Sequence, residues 1–442
     1  MTTYARRLGL FSGTMAVVGG IIGGGIFRTP ATVAERLQSP SLVLVAWIIG
    51  GIVALIGAFC FGELGQRRPR AGGGYVYLRE TFGPLPAFLY GWTLVLVIAT
   101  GAIAAVAVTF ADYTLALVGL PDTYSVPLAV AAIVFHSAIN YVGVRPAAIT
   151  QNIFTLLKLI ALVILIAVGV FAVTPTVPYR LLPSFTVASP VAAIGAALVP
   201  ILFTYGGWQQ TNFIAEEIVE PERNLPRALV YGVVIVVAVY LLTNVAYLRV
   251  LGVDRLAAST APAADTMTTL LGPAGGKLIA AGIAVSTFGF LNLVILVTPR
   301  VLQAMAADGV FFRRFAVLHP VHQTPAAAIV ALGVFAVLLT LSGTFGQLVD
   351  YVTFGDWIFF GLCVASLFVY RARERSASTP APGSPLPAHV FRVPGYPITP
   401  ALFVMAAAYV VISAIASNPK NAAIGAGLIA LGVPAFLYWR RT

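Results

Sequence analysis

The sequence predicts an all-α membrane protein of twelve transmembrane helices, two of them broken within the bilayer. Three observations carry this. The 442 residues are 59% hydrophobic and only 9% charged, whereas about a quarter of a soluble domain is charged, so lipid must solvate most of the chain. Apolar runs of the roughly 20 residues needed to cross a hydrocarbon core recur from end to end. Two of these runs are interrupted by glycine. Val17-Val18-Gly19-Gly20-Ile21-Ile22-Gly23-Gly24-Gly25-Ile26-Phe27-Arg28-Thr29-Pro30 holds five glycines in seven positions, and Phe203-Thr204-Tyr205-Gly206-Gly207-Trp208 holds a second pair. Glycine is a poor helix-interior residue, and backbone freed inside a bilayer is tolerated only where it lines a cavity or is covered by protein. Interrupted helices at corresponding positions of two halves point to a secondary transporter with its site between them.

The runs place helices at 8–37, 40–66, 84–118, 125–143, 149–173, 189–218, 226–250, 275–307, 324–343, 345–370, 398–417 and 421–439. The third and eighth are long enough to tilt strongly. The breaks fall in helices 1 and 6, five spans apart, which divides the chain into a first repeat (1–173), a second repeat (189–370), a loop (371–397) and helices 11 and 12 (398–442). The last two helices carry no polar residue at depth and are expected to be peripheral. The loop is rich in Pro, Ser and Ala. Residues 252–275 form the longest outer connection, either a cap over a vestibule or a plain connector.

Lys and Arg set the orientation. One side holds Arg6, Arg7, Arg67, Arg68, Arg70, Arg223, Arg227, Arg313, Arg314, Arg371 and others. The opposite side keeps Arg36, Arg180, Arg249, Arg255, Lys277 and Lys420, a bias of about three to one. Both termini are therefore expected in the cytoplasm, with the protein in the inner or plasma membrane. The net charge of +11 is spread over short loops and forms no basic face, which argues against nucleic acid. Cys60 and Cys363 fall inside apolar runs, so no disulfide framework is expected. The first run is too long, and followed by too many others, to be a signal peptide.

Four stretches resemble the amino acid–polyamine–organocation superfamily of transporters, nearest to its L-type and bacterial amino acid exchangers. They are Gly20-Ile-Ile-Gly-Gly-Gly-Ile-Phe27; Gly62-Glu-Leu-Gly65 with Pro69-Arg-Ala-Gly-Gly-Gly-Tyr-Val-Tyr77; Phe203-Thr-Tyr-Gly-Gly-Trp208 with Asn212-Phe-Ile-Ala-Glu-Glu-Ile218 and Pro221-Glu-Arg-Asn-Leu-Pro226; and Thr298-Pro-Arg-Val301 with Met305-Ala-Ala-Asp-Gly309. The resemblance implies a five-plus-five inverted repeat with two added helices, and an amino acid as substrate.

A zwitterion needs two opposite poles close together. A helix restarting after a break presents free N–H groups and partial positive charge, which suits a carboxylate; the end of a half-helix presents C=O groups, which suit an ammonium. The amides of Gly23, Gly24 and Gly25 are the expected carboxylate donors, and the carbonyls of Ile21, Phe203 and Gly206 the expected ammonium acceptors. Close helix packing would also use glycines, but three in a row exceed what one crossing needs. Relatives often have Ser at the position of Gly24. Phe203 matches the family's gating aromatic, core packing being the plainer alternative. Gln209 follows the second break and is placed to meet a substrate side chain or a neighbouring helix.

Lys158 lies about ten residues into helix 5, roughly 13–15 Å along it. A charge that deep costs at least about 2.5 kcal/mol and is functional by default. Relatives with a lysine here resemble sodium-coupled members with the ammonium in place of the ion. Lys158 would then meet helix-1 carbonyls near Val18 or Gly19 and the hydroxyl of Ser286. It is either a fixed cation in an exchanger or a titrating group in a proton symporter, and sodium is not expected. Arg28, one turn beyond the first break, also needs an anion. Asp356 is preferred over Asp350 and Asp112, because L-type relatives have an uncharged Asn in its place. Arg28 and Asp356 are expected to form an outer gate, or alternatively to select polar or charged substrates.

Glu63, Glu216, Glu217 and Asp308 are expected to anchor loops or join an inner ion-pair network. His136 is expected to be hydrogen-bonded in helix 4, and His319 and His322 lie in a loop. No metal or cofactor is expected, for want of ligand spacing or a phosphate loop. The best reading is a sodium-independent amino acid transporter working by alternating access, exchanging or coupled to protons. The alternatives are a transporter-like sensor, a polyamine or cationic amino acid antiporter, and an intramembrane enzyme, which would need convergent acids and bases that the sequence lacks.

Overall fold

Glycine sets the first boundary. In the structure, a computed structural model describing residues 4–171, 190–343, 345–377 and 391–441, the first apolar run folds as two helices. These are α1 (Leu10–Ile21) and α2 (Gly25–Leu37), bent by 45° across the break. Pro40 then opens α3 (Pro40–Arg67) at the first helical turn, where its missing N–H costs nothing. A short helix, α4 (Gly74–Phe82), precedes the third span. That span is composite: α5 (Pro84–Thr93), one π turn (Leu94–Ala99) and α6 (Thr100–Val118). Such π turns concentrate at functional sites. The first half closes with α7 (Ser125–Val142) and α8 (Val144–Phe171).

The second half repeats the break. After α9 (Pro190–Thr204), residues 205–207 turn and the chain continues as a 3₁₀ helix (Trp208–Glu217). Next come α10 (Pro221–Ala258), α11 (Pro262–Leu271), α12 (Pro273–Ala307), α13 (Ala326–Ser342) and α14 (Phe345–Ala377). The chain ends with α15 (Ile398–Ser417), α16 (Pro419–Ala430) and α17 (Gly432–Arg441).

The expected all-helical membrane architecture is present, with two differences. Among the described residues ten segments are long and apolar enough to cross a bilayer, and the bent α1–α2 pair makes an eleventh. The expected twelve is reached only by counting α13, whose 17 residues sit at the short limit for a span. The connection expected between 252 and 275 is also not plain: it holds α11, packed against α10, α12, α2 and α8. Arg180 and the centre of the Pro/Ser/Ala-rich loop lie outside the described residues.

Packing puts the broken helices in the middle. α1 is buried along nearly its whole length, between α10, α8 and α12, as expected of a helix that is apolar all round. α10 lies along α3, and α12 lies along α6 and α8. Helices α15 and α16–α17 have few buried residues and sit at the edge. Even so, Phe403 of α15 reaches inward to Trp208 (6.1 Å between ring centroids) beside the second break.

Candidate functional site

The two breaks meet backbone to backbone. Gly207 has φ +111°, in the region that favours glycine, and a Cβ there would overlap the carbonyl of Gly20. In return, a Cβ on Gly20 would lie 2.9 Å from the Gly207 oxygen. Tyr240 of α10 locks the pair, donating its hydroxyl to Ile21 O (3.0 Å) and Thr204 O (3.4 Å), the carbonyl ends of both half-helices. Thr29 and Thr204 join hydroxyls at 2.8 Å.

Beside this contact lies a cavity of about 450 Å³. Ile21, Gly23, Gly24, Gly25, Arg28, Phe203, Gly206, Gln209 and Asp356 all border it. Their hydrogen bonding sorts them. Gly23 N–H turns back to Ile21 O (2.9 Å), so this amide and this carbonyl are engaged with each other. Gly24 and Gly25 N–H have no acceptor among the described residues, and they stand at the start of α2, where positive potential gathers. Phe203 O accepts from Gly206 N–H (3.0 Å), while Gly206 O has no donor among the described residues. Phe203 is 51% exposed and faces the cavity. Gln209 is buried, and its Oε1 accepts from Gly207 N–H (3.0 Å), bracing the turn.

Arg28 and Asp356 border the same cavity but make no ion pair within 4.0 Å here. Asp112 is held instead by Ser125 (2.5 Å), and the Asp350 side chain lies outside those described. The cavity holds no vacant space at Gly25, where a Cβ would come within 2.8 Å of Thr204, whereas Gly24 has nothing within 4 Å of that position.

Lys158 lies behind the first break, fully buried in α8. Its ammonium donates to Ile22 O (2.7 Å) and Gly19 O (3.2 Å). Ser286 of α12 donates to that same Ile22 O (3.3 Å), so the two meet at a shared carbonyl and not with each other. The Val18 carbonyl is unused by the lysine because Ile22 N–H takes it at 2.9 Å, completing the last turn of α1. Thr155 and Gln151, one and two turns before Lys158, line the same face. The Thr155 hydroxyl donates to Met15 O (3.3 Å), and neither side chain leaves room for a Cβ on Gly19.

At the end of the bundle that carries both termini, charges are paired. Arg300 donates to Glu217 (2.7 Å) with both side chains buried. Glu63 takes Arg67 and Arg371 (2.6 Å each) and Val393 N–H (2.6 Å). Asp308 pairs with Arg79 and accepts from Tyr75 (2.9 Å), whose phenol burial pushes up to about 12 and keeps it a donor. Glu216 accepts from Ala71 N–H (3.2 Å). The N-terminal segment joins in, with Arg7 and Leu8 N–H donating to Glu217 O.

His136 differs from the expectation. Its ring is buried 4.2 Å from that of Phe288, and the polar groups beside it, the Asn292 side chain and the Phe288 backbone, lie outside good hydrogen-bonding geometry. Sequence reasoning missed Tyr240, and also Tyr247, one heptad on, whose hydroxyl reaches Ile26 O (3.4 Å). Their spacing on one helix face was the available signal. It also missed Ile98, which the π turn carries to the cavity, and Phe290 and Thr287 of α12, which border it.

Comparison with known proteins adds an independent line. Residues 8–438 match the family model described as amino acid permease. Over 423 residues the chain is 33% identical to the human b(0,+)-type amino acid transporter 1, covering 95% of this chain and 84% of that protein. It is 31% identical over 446 residues to the rabbit (Oryctolagus cuniculus) large neutral amino acids transporter small subunit 2, covering 98% of this chain and 81% of the relative.

Proposed function

The chain belongs to the amino acid permease family, and from that premise we propose that it carries amino acids across the plasma or inner membrane by alternating access. The transport is sodium-independent exchange, with both termini in the cytoplasm. The relatives' names, which specify amino acid transport, support the substrate class. The observation that carries the reading is the pair of unwound helices bordering one cavity, with amides on one and a carbonyl on the other that have no partner among the described residues. The carboxylate is assigned to Gly24 and Gly25 N–H, and the ammonium to Gly206 O and the second lone pair of Phe203 O. Gly23 and Ile21 shape the turn. Phe203 lies over the bound substrate.

Lys158 supports sodium independence, because its ammonium already occupies the carbonyls that a sodium ion at that place would use. The test is radiolabel uptake by purified protein in liposomes, preloaded or empty, with sodium and pH gradients imposed separately. Uptake is expected to need internal amino acid and to ignore sodium. Uptake into empty vesicles driven by a pH gradient would favour the proton-coupled reading, and dependence on sodium would overturn both. A protein that binds amino acid without moving it would be a sensor.

Two further outcomes are expected. Gly24 has αR backbone (φ −81°) and open space where a side chain would project, so Gly24→Ser adds a hydroxyl beside the carboxylate donors without strain. Its KM should fall by about 3- to 10-fold, the worth of one hydrogen bond to a charged group after part of it is spent on desolvation; an unchanged KM would remove the carboxylate from this position. Arg28 and Asp356 are assigned to an outer gate that closes by pairing; here both border the cavity and no ion pair joins them. Arg28→Ala and Asp356→Ala should each slow exchange, and the double variant should be no worse than either single one. Simple additivity would give the two residues separate tasks, such as selecting the substrate side chain.

A further inference from the structure

Most hydroxyl and carboxamide groups around the cavity already have partners. Thr204 donates to Pro200 O (2.8 Å) and accepts from Thr29 (2.8 Å). Thr109 donates to Ala105 O and Thr287 to Ile283 O, each at 2.8 Å and within its own helix. Gln209 is engaged by Gly207 N–H. Gln210 is different. It borders the same cavity, its carboxamide makes no hydrogen bond among the described residues, and its Oε1 is shut from solvent with no donor. Other described side chains hold buried polar atoms without a partner, Asn140 and Asn244 among them, but of these Gln210 alone borders the cavity.

Its place in the chain relates it to the substrate. Gln210 N–H bonds Gly207 O (3.2 Å), which sets it one 3₁₀ turn, roughly 6 Å along the axis, past the second break. A buried acceptor without a donor costs free energy until a partner arrives. The terminal torsion of a carboxamide is broad and two-fold, so a half-turn offers the cavity either an N–H or an oxygen. A group that both donates and accepts serves either orientation. An ammonium only donates, a carboxylate only accepts, and a hydrocarbon does neither. The charged residues at the cavity, Arg28 and Asp356, are of opposite sign, so together they favour no ion. Given an amino acid held at the two breaks, the reading on which this rests, we propose that Gln210 selects its side chain. The preferred substrates are neutral amino acids whose side chains end in a carboxamide or hydroxyl. A site built to bond such a group rejects a ligand lacking it far more strongly than an apolar pocket rejects one methylene, because the glutamine is left unpaired.

The test is exchange by purified full-length protein in liposomes, each preloaded with the amino acid whose label is supplied outside. The probes are glutamine, its near-isostere methionine, lysine and glutamate. KM for glutamine should lie about 10-fold below that for methionine, the worth of one recovered hydrogen bond. Lysine and glutamate should also be at least about 10-fold weaker than glutamine, since each can meet only one orientation of the carboxamide. In Gln210→Leu, KM for glutamine should rise by about 10-fold while that for methionine falls by about threefold, because an apolar wall now meets an apolar end. A residue that merely supports the fold would move both values the same way. Gln210→Asn keeps the carboxamide and should keep the preference for glutamine, so the comparison stands even where the leucine variant does not fold.

Equal KM values for glutamine and methionine in the unaltered protein would overturn this specificity and leave amino acid transport standing. Equal shifts for both substrates in Gln210→Leu would overturn it too, by reducing the residue to a structural part. Lysine or glutamate exchanged as well as glutamine would pass selection to Asp356 or Arg28, which also overturns it. No exchange of any amino acid tested would overturn the transport reading together with it.

Discussion

Lys158→Met is expected to lower amino acid exchange in proteoliposomes by about 100-fold or more while leaving the protein folded and extractable. Methionine keeps most of the volume, so the change isolates the ammonium. Without it, Gly19 O and Ile22 O lose their donor inside the protein, and each unsatisfied buried acceptor costs about 1–3 kcal/mol. Ser286 can still serve Ile22 O, so Gly19 O bears the larger loss. The carbonyl end of α1 is then free to shift, and the amides of Gly24 and Gly25 lose their position relative to Gly206. About 3 kcal/mol of misplacement is a factor of roughly 100 in rate. The same variant reports on coupling: if Lys158 is a fixed cation, the unaltered protein shows no response to a pH gradient. A wild-type rate in Lys158→Met would remove the residue from the mechanism.

Gly207→Ala should be the most damaging single methyl group in the chain. Alanine at φ +111° is strained by about 1–3 kcal/mol, and its Cβ must also displace the Gly20 carbonyl, an overpacking cost of about 1–3 kcal/mol more. The expected result is loss of exchange by more than about 30-fold together with a lower melting temperature. Gly24→Ala, a few residues away, should melt like the parent because its Cβ meets nothing within 4 Å. If both alanine variants behave alike, the two breaks do not touch as described.

These residues also show how far sequence reasoning reaches. Both breaks were legible because glycine clusters inside apolar runs have few other uses in a bilayer. The candidate residues drawn from them, including Arg28 and Asp356 from distant helices, all border one cavity. Lys158 was legible from its cost: a charge that far inside an apolar run needs a partner. Which carbonyls it would meet was not legible to the residue, because that depends on where the last turn of α1 closes. Ile22 N–H takes Val18 O, and the ammonium is left with Gly19 and Ile22. Glycine amides look alike in a sequence. Only the turn geometry shows that Gly23 N–H is spent on Ile21 O while Gly24 and Gly25 N–H remain available.

Tyr240 marks the remaining gap. Its seven-residue spacing from Tyr247 shows a shared helix face and nothing about function, since aromatic residues in apolar helices usually pack. Its role follows from α10 passing both half-helix ends closely enough for one hydroxyl to reach Ile21 O and Thr204 O. Likewise, the 3₁₀ form of residues 208–217 and the helix within 252–275 depend on contacts that no local pattern encodes.

The amino-acid sequence by itself determined that this chain lives in lipid, where its helices run, where two of them fail, and which charges are too deep to be idle. All of these follow from transfer free energies and backbone freedom, properties of a residue and its near neighbours. The tertiary structure alone decided which peptide groups remain free to bind, which are consumed in turns, and whether Arg28 and Asp356 stand paired or apart. Hydrogen bonding is settled between groups that are distant in the chain, and a buried donor or acceptor is available to a ligand only when the surrounding fold has left it without a partner.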